Sequence, residues 1–227
     1  MKITIGVPHM TEFNHCRFSD AEVDLMAYSL SVGIDLSAIR TYRDNITFAR
    51  NKIASKFLES GNDYLLFLDD DMVFKPDLLE SLLKRKEKIV GGMTFIRSEP
   101  HEPSFYKLNS DGVTYNPIYL WKKNDLVECD AIGMAATLIH KSVFEEMKNI
   151  SQFHKDIWGF FDNLNFTGED LRFCRKARDL GFKVYCDTSQ LVGHITEKVI
   201  GFGDYKAMAE HQDFNIKKHR AIKEYGK

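Results

Sequence analysis

Cysteine is scarce in this chain of 227 residues: Cys16, Cys129, Cys174 and Cys186 are the only four, without CxxC spacing and without the density of a secreted disulfide scaffold. Reduced thiols are the expectation, and with them a cytoplasmic location. A bias of charge is missing as well. Lys and Arg number 31 against 33 Asp and Glu, a formal net charge of -2, so no global positive field would draw the protein to nucleic acid or to an anionic membrane. No apolar run approaches membrane-spanning length, and the chain opens on a strand-like Lys2 to Val7 rather than on the basic stretch and apolar core of a leader. Val7 to Thr11 contains no glycine, so no glycine-rich phosphate loop follows the first strand. Repeats, low-complexity tracts and linkers are absent too. With 44% hydrophobic composition, one globular unit is expected.

What is present is concentrated in Asp63-Tyr64-Leu65-Leu66-Phe67-Leu68-Asp69-Asp70-Asp71-Met72-Val73-Phe74, an apolar run short enough for one buried strand that ends in three carboxylates. Adjacent acids repel one another, and a hard divalent cation or a ligand's hydroxyls would offset that repulsion. Magnesium-like ions prefer a few carboxylates plus phosphate oxygens, and open α/β sheets bind ligands beyond their strand ends. An acidic solvated turn is the plain alternative. Three further signals are weak singly. Glu169 and Asp170 follow Gly168 in a first helical turn, where the macrodipole alone favours acids. His194 lies between apolar residues and could be a core histidine or a ligand for a Mn-type ion. Arg50 begins the helix before the acidic strand and could meet phosphate or the acids.

Periodicity orders these signals. Strand Lys2 to Val7, a helix opened by a capping box at Ser19 to Glu22 and ending near Gly33, a strand near Ala38 to Thr41, a helix Thr47 to Ser60 stopped by Gly61, and the acidic strand give β-α-β-α-β. A helix from Lys75-Pro76-Asp77 and a strand Ile89 to Gly92 extend the alternation, which implies a parallel sheet covered on both faces. After Arg97 the pattern is mixed: a hairpin around Asn109 to Gly112, an apolar strand Met134 to Ile139, and a helix capped by Thr167 and stopped by Gly181. A strand Lys183 to Cys186 and a last helix from about Asp204 to Tyr225 follow.

In this order, Ala49-Arg50-Asn51, Phe67 to Asp71, the small-residue stretch Asp130 to Ala136, Gly168-Glu169-Asp170 and Gly193-His194 resemble metal-dependent glycosyltransferases of the GT-A fold. The resemblance runs from Ile3 to His194. It is nearest to the family-two type and to its relatives the polypeptide N-acetylgalactosaminyltransferases and mannosylglycerate synthase. It implies an α/β, Rossmann-like three-layer sandwich with a mostly parallel central sheet and a small mixed half. Residues 1–97 would form a nucleotide-binding half, 98–203 an acceptor and metal-histidine half, and 204–227 a C-terminal helix.

The same resemblance implies a divalent metal, Mn2+ or Mg2+, on the DXD acids Asp69 and Asp71 and on His194. Asp70 leaves the register open, with Asp71 matched to the metal and Asp69 to the ribose. Pro8, Arg50, Asp69 and Asp70 would face a UDP- or GDP-sugar, Asp170 (or Glu169) would activate the acceptor, and Arg97, Gly133, Met134 and Trp158 would shape the sugar pocket. The acceptor is open among saccharide, glycolipid, protein and modified nucleic acid. One departure stands out: Tyr42-Arg43-Asp44 replaces the aspartate-rich turn that usually holds the base. Sugar nucleotidyl transfer and a non-catalytic carbohydrate-binding module are the competing functions.

Overall fold

The protein is described by a computed structural model over residues 1–163 and 167–197. The expected helix at 204–225 falls outside the described residues. The first elements follow the expected alternation: β1 (Lys2–His9), α1 (Cys16–Ser31), β2 (Asp35–Tyr42), α2 (Ile46–Ser60), β3 (Tyr64–Leu68), the short β4 (Met72–Val73), α3 (Leu78–Lys84) and β5 (Ile89–Met93). α2 is closed at Gly61, φ 70°, as its sequence indicates, and it starts one residue earlier than expected, under an Asn45 side chain that accepts from Phe48 N at 2.9 Å. α1 differs. It starts at Cys16 under the His15 ring, so Ser19 already bonds back to His15 O at 3.1 Å and the capping-box signature is helix interior.

The remaining elements are β6 (Phe105–Leu108), β7 (Tyr115–Pro117), β8 (Leu126–Cys129), β9 (Ala131–Ile132), β10 (Ala136–His140), α4 (Lys141–Met147), β11 (Phe153–His154), β12 (Ile157–Trp158), α5 (Glu169–Asp179), β13 (Val184–Leu191) and β14 (Gly193–His194). The main sheet has the order β2-β1-β3-β10-β5-β13-β8. β1 is parallel to β2 and β3, and β13 is parallel to β5, while β10 runs antiparallel between β3 and β5 and β8 is an antiparallel edge. The alternation alone implies a parallel run. The departure is β10, whose Leu138 and Ile139 are buried on opposite faces, so it reads as a central strand in either direction.

β3 shows why its sequence is a continuous apolar run. Leu65 and Phe67 pack under α2 with Phe144, Phe161 and Phe173, while Leu66 and Leu68 pack on the other face with Ile3, Leu25 and Leu79. Burial ends at the carboxyl edge, where Asp69, Asp70 and Asp71 emerge. The antiparallel β4–β14 pair sets His194 opposite Met72, and Ile195 N bonds Asp71 O at 2.7 Å, so the distant histidine is carried to the acids by backbone pairing. No described helix is long and apolar enough to cross a membrane.

Candidate active site

The three carboxylates at the end of β3 turn to three different partners. Asp69 accepts from Arg50 Nη2 with both oxygens, at 3.0 and 3.1 Å. Asp70 Oδ2 lies 3.0 Å from His9 Nδ1. Asp71 Oδ2 lies 3.2 Å from His194 Nε2 and 3.1 Å from Arg97 Nη1. Mutual repulsion is thereby offset group by group.

Arg50 is the hub of the inner part. It is buried on α2, and its other terminal nitrogen, Nη1, donates to Glu169 Oε1 in the first turn of α5. Burial pulls its pKa down, but the carboxylates of Asp69 and Glu169 outweigh that and hold it above the ordinary arginine value. The next residue, Asn51, ties α2 to the stretch after β12: its Nδ2 donates to Phe161 O and its Oδ1 accepts from Phe161 N, both at 2.8 Å. The short motif on α2 is therefore one counter-ion, which reaches Glu169, and one clamp, which holds the backbone of Phe161.

Those adjacent acids have different surroundings. Glu169 is neutralised by Arg50. Asp170 is paired with no described side chain and accepts only from Leu171 N at 2.7 Å. Burial pushes its pKa up to about 6, with the charges of Glu169 and Asp69 adding and that of Arg50 opposing. The helix is capped by Gly168 without a side-chain bond, so Thr167 does not cap it.

Asp170 opens on a cleft of about 280 Å³ lined by Arg50, Asp69, Glu169 and His194 and by a wall that includes Thr94, Phe95, Ser104, Tyr106, Gly133 and Met134. Gly133 keeps that wall open: a Cβ there would meet Ser104 Oγ at 3.3 Å and approach Asp170 Oδ2 to 3.7 Å. Burial, then the nearby Asp170 charge, pushes the Tyr106 hydroxyl up to about 12, which keeps it a hydrogen-bond donor. A second cleft of about 460 Å³ adjoins Asp70 and Asp71 and is lined by Met10, Thr11, Phe13, Asn14, His15 and Arg97.

The Asp71–His194 pair presents two donors suited to a cation. His194 Nδ1 faces the Phe95 carbonyl oxygen at 2.9 Å, and since that oxygen only accepts, Nδ1 carries a proton. In the neutral ring Nε2 is then a lone pair facing the Asp71 carboxylate, two acceptors in need of a positive charge between them. The hydrogen bond to Asp71 raises the His194 pKa against the cost of burial, and the same contact, with Arg97, holds Asp71 below the usual range although burial opposes it. A nitrogen and a carboxylate oxygen suit a Mn-type ion that completes its shell with phosphate and water. Among the described residues no group of three His, Cys, Asp or Glu side chains gathers at one point. Asp69 is held by Arg50 instead of standing beside Asp71.

The geometry thus brings together Arg50, Asp69, Glu169, Asp170, Gly133, Met134 and His194, with Asp70, Asp71 and Arg97 on the adjoining cleft. Pro8 and Trp158 line neither cleft. Pro8 is buried in the sheet opposite Thr41, and Trp158 packs on Phe153 and Phe160 in the β11–β12 hairpin. Sequence reasoning missed His9, the clamp made by Asn51, and the cleft wall of Thr94, Ser104 and Tyr106. His9 was within reach of it: Gly6 pairs Phe67 in the parallel β1–β3 register, so three residues further His9 comes abreast of Asp70.

No family model and no curated protein matches the chain. Among solved structures it is similar to A197 from STIV, with a TM-score of 0.54 and 17% identity over 87% of each chain. It is also similar to GalNAc-T7 with UDP, GalNAc and Mn2+, with a TM-score of 0.52 and 12% identity over 87% of this chain and 44% of that one. The fold is GT-A-like. At such identities the likeness is one of architecture, and the roles of residues rest on their chemistry.

Proposed function

We propose that this protein is a metal-dependent glycosyltransferase that moves a sugar from a nucleotide-sugar donor to an acceptor hydroxyl. The observation that carries the reading is Asp170, a carboxyl with a pKa of about 6 and no described side-chain partner, in a cleft walled by hydroxyls beside the Asp71–His194 pair. In a direct displacement the acceptor oxygen bonds the anomeric carbon, the bond to diphosphate breaks with its electron pair on phosphate, and Asp170 takes the acceptor's proton. A base so placed contributes typically about 10²- to 10⁴-fold. Arg50 and Glu169 fix the first turn of α5, and the hydroxyls of Ser104 and Tyr106 can orient the sugar. Asp71 and His194 Nε2 would hold the divalent ion, which when bound neutralises charge on the leaving phosphate. Arg97 supplies a second cation on the same side. A UDP- or GDP-sugar is the donor class.

The test is to incubate the protein with a panel of UDP- and GDP-sugars and manganese and to identify the phosphate product. Nucleoside diphosphate, lost in Asp170→Asn, supports transfer. Pyrophosphate points to nucleotidyl transfer, and binding without any release points to a carbohydrate-binding module; either overturns the proposal.

A further inference from the structure

Beyond the transferase reading, we propose that the loop between β7 and β8 is a bilayer contact. Leu120 enters the headgroup boundary of an anionic membrane, Tyr119 and Trp121 lie at headgroup depth, and Lys122 and Lys123 meet the lipid phosphates. The inference starts from exposure. Leu120 is 91% exposed and Tyr119 beside it 58%, adjacent apolar side chains left in water where single ones would need no account. Looseness does not explain them, because the loop is pinned on both sides of its tip. Ile118 N bonds Phe105 O at 3.0 Å, and the Trp121 ring packs on Phe105 with centroids 5.5 Å apart. Beyond the tip, Thr188 Oγ1 donates to Lys122 O at 2.7 Å and accepts from Asp125 N at 2.8 Å. The chain thus holds an apolar tip away from the core by bonds that a free loop would lack.

The chemistry of the tip selects its occupant. Tyr and Trp join an apolar ring to a polar edge, the combination that settles at a membrane–water interface, and lysines there keep their charge among the headgroups. Lys122 and Lys123 are exposed. The nearby acids are engaged elsewhere: Glu102 accepts from the Tyr119 hydroxyl, Glu128 pairs with Lys183 at 2.9 Å, and Asp125 accepts from Leu126 N at 2.9 Å. Positive charge beside an apolar tip complements anionic lipid, whereas a second copy docked tip to tip would set like charges together. The whole chain carries -2, so the attraction is local to this loop. The loop also adjoins the active cleft, since it leaves β7, whose Pro117 pairs with Tyr106 on β6, and Tyr106 lines the cleft beside Asp170. Of the four acceptor classes, this placement serves the glycolipid. That last step rests on the proposed function; the bilayer contact does not.

The experiment sediments the full chain, without nucleotide sugar, with vesicles of phosphatidylcholine alone and of phosphatidylcholine and phosphatidylserine in equal parts. Wild type is expected to bind the mixed vesicles about tenfold or more tighter than the neutral ones, and the difference should shrink at high salt. Leu120→Gln should lower binding to mixed vesicles by about tenfold. Lys122→Gln combined with Lys123→Gln should remove most of the preference for anionic lipid. These side chains are exposed, so circular dichroism should match wild type. Trp158→Phe leaves Trp121 as the one tryptophan of the chain's two, and its emission should shift to the blue on mixed vesicles. Leu30→Gln, at a residue 59% exposed on α1, is the control and should bind as wild type. The inference is overturned by absence of wild-type binding to mixed vesicles, by an equal loss in Leu30→Gln, by undiminished binding in Leu120→Gln or in the lysine variant, or by unshifted Trp121 emission. A wild-type dimer in light scattering that Leu120→Gln dissolves would give the tip to a second copy and overturn it equally. None of these outcomes bears on release of nucleoside diphosphate, which tests the transferase reading separately.

Discussion

Asp170 is the residue at which two opposite pH dependences meet. Its folded pKa of about 6 lies above the ordinary unfolded value of about 3.9, so the folded state binds the extra proton. Its contribution to stability is then fully present below about pH 4 and is lost as pH rises through about 6, whereas a base works only once ionised. Activity should therefore climb with pH through about 6 while this contribution to stability declines. Asp170→Asn is expected to cost about 10²-fold or more in kcat with donor affinity nearly intact. It should also melt above wild type at pH 8 and level with it near pH 4; a variant that keeps kcat would remove the base from the mechanism. Glu169→Gln is a different experiment, because Glu169 sits on the buried Arg50 and its loss is first a loss of stability. For the metal, Asp71→Ala and His194→Ala should each stay folded and abolish the gain in nucleoside diphosphate affinity that Mn2+ gives wild type in calorimetry. An undiminished gain in both would sink the ion site.

Among the elements, α2 ties the site together, through the pair of bonds between Asn51 and the backbone of Phe161. Asn51→Ala leaves a buried N–H and carbonyl unpaired, a cost of about 1–3 kcal/mol each at most, and loosens the approach to α5. The expected outcome is a lower melting temperature together with a fall in kcat larger than the fall in donor affinity; unchanged kcat in a destabilised protein would make the clamp purely structural. α2 was legible in its span and its stop, because a helical spacing of Phe48, Ile53, Ala54 and Phe57 agreed with a glycine stop, while its Asn45 cap was not read. α1 was legible as a helix but not at its start, and α5 was legible from its first residue, Glu169, but not in its cap. At α1 the His15 ring captured Arg17 N before the capping box could act, and at α5 the Gly168 backbone began the helix without Thr167. The acids and His194 were legible as residue types in series. Their separate partners were not, since these come from parallel register and from β4–β14 pairing over more than a hundred residues.

At the scale of the described molecule, β10 and β13 of the second half complete the sheet begun by β1, β2 and β3, so the acids and α5 are held against one continuous sheet with a core on each face. A buried ion pair joins the parts: Arg85, just after α3, donates through Nε and Nη2 to both oxygens of Asp187 on β13, each at 2.7 Å. Burial pushes the Asp187 pKa up, but the bonds from Arg85 and Ser189 outweigh it and hold the carboxyl below the usual range. A depressed folded pKa means that the pair's stabilisation is present above the unfolded value of about 3.9 and is lost as pH falls through the folded one. Arg85→Met strips the partner from a carboxylate whose side chain is 1% exposed. Because Arg85 itself is partly exposed, a loss of about 3 kcal/mol, the lower end for breaking a buried pair, is expected at pH 7. In urea titrations the gap between variant and wild type should narrow as pH falls, first as the unpaired buried carboxyl of the variant protonates and then as that of wild type does through its depressed folded pKa. A gap that stays constant down to pH 3 would mean that the arginine stabilises by packing its stem, and that charge has no part in joining α3 to β13.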